Sequence, residues 1–236
     1  LVLFPIQYGW ITAPYGRHSN RNWGWLMDNR LGWVLMESVS LFLFSYFFFT
    51  GTALKTAPMY FLFALWGMHY LNRSFIYPFR TKTTGKKIPV LIVVFAIVFN
   101  GVNGWSNGYA LGTIATPYPS TWWWSPSFII GFALFAAGAF VNIQADNYLL
   151  SLRKPGEKGY VLPEKGLFQY ISCPNHFGEI VEWLGFAIMT WNLAALAFAI
   201  WTAANLIPRA KSHHQWYQTH FANYPKNRKA VIPYLL

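Results

Sequence analysis

Charge is scarce in this sequence: only 11% of its 236 residues are Asp, Glu, Lys or Arg, and just 7 are acidic. A water-soluble domain usually carries about twice that share, and with 55% hydrophobic and 20% aromatic residues the composition excludes one. Cysteine is nearly absent. Cys173 stands alone, which rules out a disulfide within the chain and any cysteine-built metal cluster. Histidine is too sparse for a metal centre: His18, His69 and His176 are scattered, and His213, His214 and His220 form neither HExxH nor a series of histidine boxes, so the site is read without a metal. No GxGxxG fingerprint occurs, so a nucleotide would have to be held by side chains and helix ends rather than by a Rossmann turn. No long Pro/Ser linker or internal repeat divides the chain, and residues 1–236 read as one transmembrane domain.

What the sequence has instead is apolar runs. Residues 31–50, 58–77, 88–106, 126–146, 176–191 and 192–207 are each close to the roughly 20 residues a helix needs to cross a bilayer, the last two short and tightly joined. The sequence opens on Leu1, and residues 1–8 read as the end of an apolar segment, so a seventh span is expected ahead of Tyr15 and no intact signal peptide is seen. The expected fold is an all-α integral membrane protein, a seven-transmembrane-helix bundle whose first helix is largely missing.

Six alternating crossings put residues 9–30, 78–87, 147–175 and 208–236 on one side. Of the 18 Lys and Arg, only Lys55 falls on the other, and residues 101–127 carry no charge. Translocated loops show this asymmetry, so the basic face is cytoplasmic. A net charge of +11 spread over four membrane-proximal segments, without a nucleic-acid fold signature, speaks against nucleic acid and for contact with anionic membrane lipids.

Three constellations could carry chemistry. Glu37, Glu179 and Glu182 lie inside apolar segments, where a carboxylate costs several kcal/mol (~3) unless partnered. Residues 142–182 hold the densest polar set: Asn142, Gln144, Asp146 and Asn147, then Arg153 and Lys154, then Asn175, His176, Glu179 and Glu182, the last three able to share a helical face. Catalysis and an interhelical hydrogen bond both account for His176 and Glu182. Glu37 sits early in its span and Tyr70 late in the next, so an antiparallel pair brings both to the cytoplasmic half. A phenol beside a buried carboxyl group suits a developing oxyanion, while tyrosine is also a common interface anchor. The tail, with Arg209, Lys211, His213, His214, Tyr217 and then 224–229, suits phosphates or lipid headgroups.

The order of motifs is that of a known family: YGRH at 15–18, Trp33 to Glu37, HYLNRSF at 69–75, NIQAD at 142–146, LRKPGE at 152–157, GLFQY at 166–170, GEIVEW at 178–183 and YPKNRKAVIP at 224–233. Together they resemble the steroid 5α-reductases over nearly the whole chain, with residues 142–236 carrying the most specific cofactor-side motifs. The resemblance implies an NADPH-dependent enzyme with seven helices that reduces the carbon-4,5 double bond of a 3-oxo-Δ4 steroid or related enone lipid. It implies that Glu37 and Tyr70 hold the 3-oxo group, that Trp33, Glu179 and Trp183 line the steroid, and that Asn142, Asp146, Arg153, Asn175, Glu179, Arg209, His213, Tyr217 and Arg228 serve the cofactor. Met36 stands where animal members tend to carry Gln, and the loop at 20–30 looks more microbial than animal. The membrane is then the bacterial inner membrane for a microbial protein and the endoplasmic reticulum for a eukaryotic one. Related folds leave two alternatives: a prenyl-cysteine methyltransferase-like enzyme, or a non-enzymatic sterol-binding or transport protein.

The charge asymmetry makes a direct prediction. Cysteine introduced at Ser106 or Thr121 labels from the side opposite to cysteine introduced at Lys158, measured with an impermeant thiol reagent on sealed vesicles of each orientation; same-side labelling overturns the threading.

Overall fold

The computed structural model describes residues 24–82, 85–152 and 160–236. Its architecture begins with a pinned helix start. Strand β1 (Leu26–Asp28) pairs antiparallel with β2 (Lys87–Pro89), in the register Leu26 to Pro89 and Asp28 to Lys87. Helix α1 (Asn29–Thr50) starts directly after β1, capped by Asp28, whose Oδ1 accepts from the backbone N of Arg30 at 2.9 Å and of Leu31 at 3.0 Å. These are two of the donors that a helix leaves unpaired at its start. Helix α2 (Ala57–Leu71) takes Pro58 in its first turn, where the missing N–H costs nothing, and continues through a π turn (Asn72–Ile76) into a last helical turn (Tyr77–Arg80). Helix α3 (Val90–Tyr109) follows β2 and ends in a second π turn, Ala110–Ile114.

Contacts divide the described residues into two compact units, residues 24–129 with 189–196, and residues 130–188 with 197–236. In the first, α1 and α3 run parallel and meet backbone to backbone. A Cβ on Gly104 would lie 2.6 Å from the Ser40 carbonyl oxygen, and one on Gly108 2.6 Å from that of Phe44; Gly112 faces Phe47 and Phe48 in the same way. This spacing of small residues is how helices associate in lipid, where burial of apolar surface gives no net drive. Aromatic rings fill the space toward α2: Phe44 stacks on Trp66 at 4.4 Å and Phe48 on Phe63 at 4.9 Å.

In the second unit, helix α4 (Pro126–Ser151) packs antiparallel on α5 (Pro174–Thr190) through three glycines. Gly178 lies against Gly138 and Asn142, Gly138 against Glu182, and Gly185 against Gly131 and Phe135. A tight turn with Trp191 at φ 48° leads into helix α6 (Leu193–His220), whose start is capped by Asn192 accepting from Ala195 N at 2.9 Å. Tyr118 donates to the Thr190 carbonyl at 2.7 Å across this turn, and burial pushes its phenol up to about 12, so it remains a donor.

Each of the six expected spans has a helical counterpart. Four helical stretches, Asn29–Thr50, Val90–Ile114, Pro126–Ser151 and Leu193–His220, are long and apolar enough to cross a membrane, and the chain is an all-α integral membrane protein. Every span shifts by at least one residue at one boundary or both, α3 running on to Ile114 through its π turn and α4 to Ser151. The span at 58–77 is interrupted by the π turn, and the span at 176–191 is a 17-residue helix. The span at 192–207 continues helically to His220, since its polar end packs on the tail instead of uncoiling in water.

Lys55, the one cation expected on the far face, closes the ends of two helices. Its ammonium donates to the carbonyls of Gly51 at 2.6 Å, Ala53 at 2.8 Å and Gly112 at 2.9 Å. Carbonyls at a helix C-terminus carry partial negative charge and lack internal partners. Lys55→Met is therefore expected to destabilise the protein by about 2 kcal/mol, the typical worth of charged hydrogen bonds, read from thermal unfolding in detergent; unchanged stability would show that these contacts carry no net energy.

Candidate functional site

In the first unit one stripe of α3 meets Tyr70 and the backbone beside Glu37. Tyr70 is 3% exposed, with the rings of Trp66 and His69 each 5.1 Å from its own. Its hydroxyl oxygen accepts from Asn103 Nδ2 at 2.9 Å. One helical turn earlier, Asn100 Nδ2 donates to the Met36 carbonyl at 2.7 Å, beside Glu37. A single turn of α3 thus touches both the Tyr70 phenol and the α1 backbone next to Glu37. Met36 itself packs into an apolar cluster with Ile88 and Val93. The π turn begins two residues after Tyr70. Such turns shift helix register by one residue and are frequent at functional sites. Here it carries Arg73, whose guanidinium lies 5.1 Å over the Trp33 ring and 5.4 Å over Tyr77, a geometry worth about 0.5–2 kcal/mol.

In the second unit the close approach of α4 and α5 builds a chain of polar side chains. Asn142 Nδ2 donates to the Asn175 carbonyl at 3.0 Å and to Glu179 Oε2 at 3.3 Å, and Asn175 Nδ2 donates to Asp146 Oδ1 at 3.1 Å. Asn142 and Asp146 are buried, Asn175 and Glu179 half-buried. Gly138, Asn142 and Asp146 recur every fourth residue and so lie on one face of α4. The glycine that admits α5 is therefore in line with the side chains that bind it. Helix α6 adds Arg209, His213 and Tyr217 at the same spacing, with the His213 ring 5.8 Å from that of His176.

The C-terminal tail is tied to this unit by main-chain bonds, Ser172 N to Lys229 O at 2.8 Å and Lys229 N to Tyr170 O at 2.8 Å. A polar knot holds it further: Ser172 Oγ lies 2.8 Å from His214 Nδ1 and 2.6 Å from the Tyr224 hydroxyl. Burial pushes the Tyr224 phenol above its usual range, so it stays protonated at neutral pH. Tyr217 stacks on Tyr224 beside Leu162.

Asn142, Asp146, Asn175 and Glu179 are brought together, and one turn of α3 bonds the Tyr70 phenol and the Met36 carbonyl beside Glu37. Other candidates are placed differently. Trp183 is 1% exposed in the core, 4.5 Å from Phe198 and 6.4 Å from Phe135. Arg228, expected on a cofactor surface, is 3% exposed, with Nη1 donating to the Pro163 carbonyl at 3.0 Å and its guanidinium 5.0 Å over Tyr224. Arg153 lies outside the described residues. Among the described residues no group of three His, Cys, Asp or Glu is placed to hold a metal. Asn100, Asn103 and Asn107 were absent from the residues singled out in the sequence. Their signal was present all the same: amides at helical spacing inside an apolar span, which are costly in lipid unless bonded.

Because a Cβ on Gly178 would sit 2.5 Å from Asn142 N, Gly178→Ala is expected to push α4 and α5 apart and destabilise the protein by about 1–3 kcal/mol, the range for overpacking. Thermal unfolding in detergent tests it, and wild-type stability would show that the helices can separate at no cost.

The chain is similar to known proteins over most of its length. The family model described as 3-oxo-5-alpha-steroid 4-dehydrogenase matches residues 86–236. Steroid 5-alpha-reductase DET2 of Gossypium hirsutum is 39% identical over 98% of this chain and 91% of its own length. The DET2 protein of Solanum lycopersicum is 41% identical over 100% and 93%, and 3-oxo-5-alpha-steroid 4-dehydrogenase 1 of Homo sapiens 41% identical over 95% and 86%. These relatives are plant and mammalian, and give the expectation of a microbial origin no support. On this likeness across nearly its full length, with the family model covering more than half of it, the chain belongs to the 3-oxo-5-alpha-steroid 4-dehydrogenase family of membrane oxidoreductases.

Proposed function

We propose that this protein reduces the carbon-4,5 double bond of a 3-oxo-Δ4 steroid or related enone lipid, with NADPH as reductant. The observation that carries the reading is the family likeness over nearly the whole chain. It also favours a reductase over the methyltransferase and transport readings. In the proposed arrangement the substrate carbonyl meets Tyr70 and Glu37. An enone β-carbon accepts hydride only if charge building on its carbonyl oxygen is stabilised, and a buried phenol with a carboxyl group supplies that where water is scarce. Trp33, held under Arg73, would form an apolar wall for the steroid.

The donor set of the second unit fits NADPH. Side-chain amides and carboxylates match ribose hydroxyls and a carboxamide, which assigns Asn142, Asp146, Asn175 and Glu179. Arginine suits phosphate, which assigns Arg153 and Arg209, with His213 and Tyr217 following Arg209 at helical spacing on α6. Arg228 serves from below the surface, holding Tyr224 and the tail in place. When bound, NADPH supplies the hydride that arrives at carbon-5. The enolate on the substrate is then protonated at carbon-4, with solvent as the ultimate source. A steroid partitions into lipid and enters laterally, while a nucleotide arrives from the basic cytoplasmic face.

Tyr70→Phe and Glu37→Gln are each expected to lower turnover on the order of 100-fold to 1000-fold while the protein still folds and binds NADPH. The double variant is expected to be little worse than the poorer single, since groups acting together are not additive. With 4-deuterated NADPH and progesterone, product mass and NMR should place the label at carbon-5 and a solvent hydrogen at carbon-4. Near-full turnover of Tyr70→Phe under saturating substrates would move the oxyanion role elsewhere.

A further inference from the structure

We infer that Asn103, held by Asn107, is a positioning residue that fixes the direction of the hydrogen bond at Tyr70, so that the phenol enters the reaction as a proton donor. The inference rests on the reading of Tyr70 given above. The direction is set by a group that cannot be reversed, the main-chain carbonyl of Asn103. Asn107 Nδ2 donates to that carbonyl at 3.1 Å and also to Asn103 Oδ1 at 3.0 Å. A side-chain amide can be turned end for end in principle, and only its neighbours say which end is nitrogen. If the Asn107 amide were turned, its oxygen would face two oxygens and both bonds would be lost.

Asn107 therefore presents nitrogen, and Asn103 must present oxygen to it. The other end of the Asn103 amide is then nitrogen, and this is the end that reaches the Tyr70 hydroxyl at 2.9 Å. An amide nitrogen only donates. The phenol oxygen accepts, and its single proton is left for an acceptor other than Asn103. With the Asn103 amide reversed, its oxygen would compete with a substrate carbonyl for that same proton.

The stripe is built to resist such a reversal. Asn103 and Asn107 are 5% and 1% exposed, so no bulk water can replace a lost partner, and an unpaired buried polar group is costly. Each is followed directly by a glycine, Gly104 and Gly108, seated on the α1 backbone at Ser40 and Phe44, which prevents α3 from rolling. The same helix anchors α1 beside Glu37 through Asn100 and Met36.

The test is a double-mutant cycle on the full-length enzyme with NADPH and progesterone. Asn103→Leu and Asn107→Leu are each expected to lower kcat by about tenfold, the effect of one buried hydrogen bond. Asn107→Leu is the sharper of the two, since Asn107 has no bond to Tyr70. In a Tyr70→Phe background both should change kcat by under about twofold, because their effect runs through the phenol. Losses that multiply in that background would mark a general structural role and overturn the inference, as would singles with wild-type kcat. Steroid binding followed by tryptophan fluorescence adds a readout without turnover: Asn103→Leu should weaken a 4-ene-3-oxo steroid and leave its 3-deoxo analogue unchanged, and equal weakening overturns the inference. If Asn103→Leu yields no folded protein, Asn107→Leu and Asn107→Ser carry the same comparison. Tyr70→Phe with full turnover overturns the reading of Tyr70 and this inference with it, whereas an impaired Tyr70→Phe beside a fully active Asn103→Leu overturns this inference alone.

Discussion

Helices α1 and α3 touch backbone to backbone, as do α4 and α5, and the asparagine stripe of α3 and the polar chain of Asn142, Asp146, Asn175 and Glu179 each belong to one of these contacts. At Gly104, Gly108, Gly138 and Gly178 a Cβ would fall within 3 Å of main-chain atoms on the facing helix. Lipid offers helices little hydrophobic reason to associate, so close packing and interhelical hydrogen bonds must do so. The glycines supply the first and bring amides within reach for the second. Asn103 and Asn107 precede Gly104 and Gly108, Asn142 stands one turn beyond Gly138, and Glu179 follows Gly178. In the second unit the missing side chains at Gly138 and Gly178 let Asn142 bond Asn175 and Glu179 across the contact.

The same logic accounts for the distribution of charge. The chain's cations cluster in segments that the charge asymmetry of the sequence puts on one side of the membrane, and Lys55, which falls on the other, is consumed by three carbonyls at two helix ends. Arg228 is spent likewise, inside the tail, where its guanidinium covers Tyr224 and bonds the Pro163 carbonyl. A motif can therefore place an arginine in a cofactor-side segment without putting it on the surface. The tail's own backbone pairs with residues 170–173, so the tail is ordered by main-chain bonds together with burial of Ala230 and Val231 against Cys173 and Ala210.

Composition, hydropathy and charge determined by themselves that this chain is a helical membrane protein and which face is basic, because the bilayer forces every span to be apolar and to satisfy its own backbone. Motif order brought the family into view, and the shared helical face of His176, Glu179 and Glu182 was legible because helix geometry is local. Only the tertiary structure decided what is settled between helices. The π turn after Tyr70 interrupts a run that reads as continuous, Trp183 turns into the core, and Arg228 goes inside. The asparagine stripe on α3 gains meaning only once α1 and α2 are in place to receive it. That the nitrogen end of Asn103 meets a phenol is decided by how α2 packs on α3, and no spacing along a chain can express that.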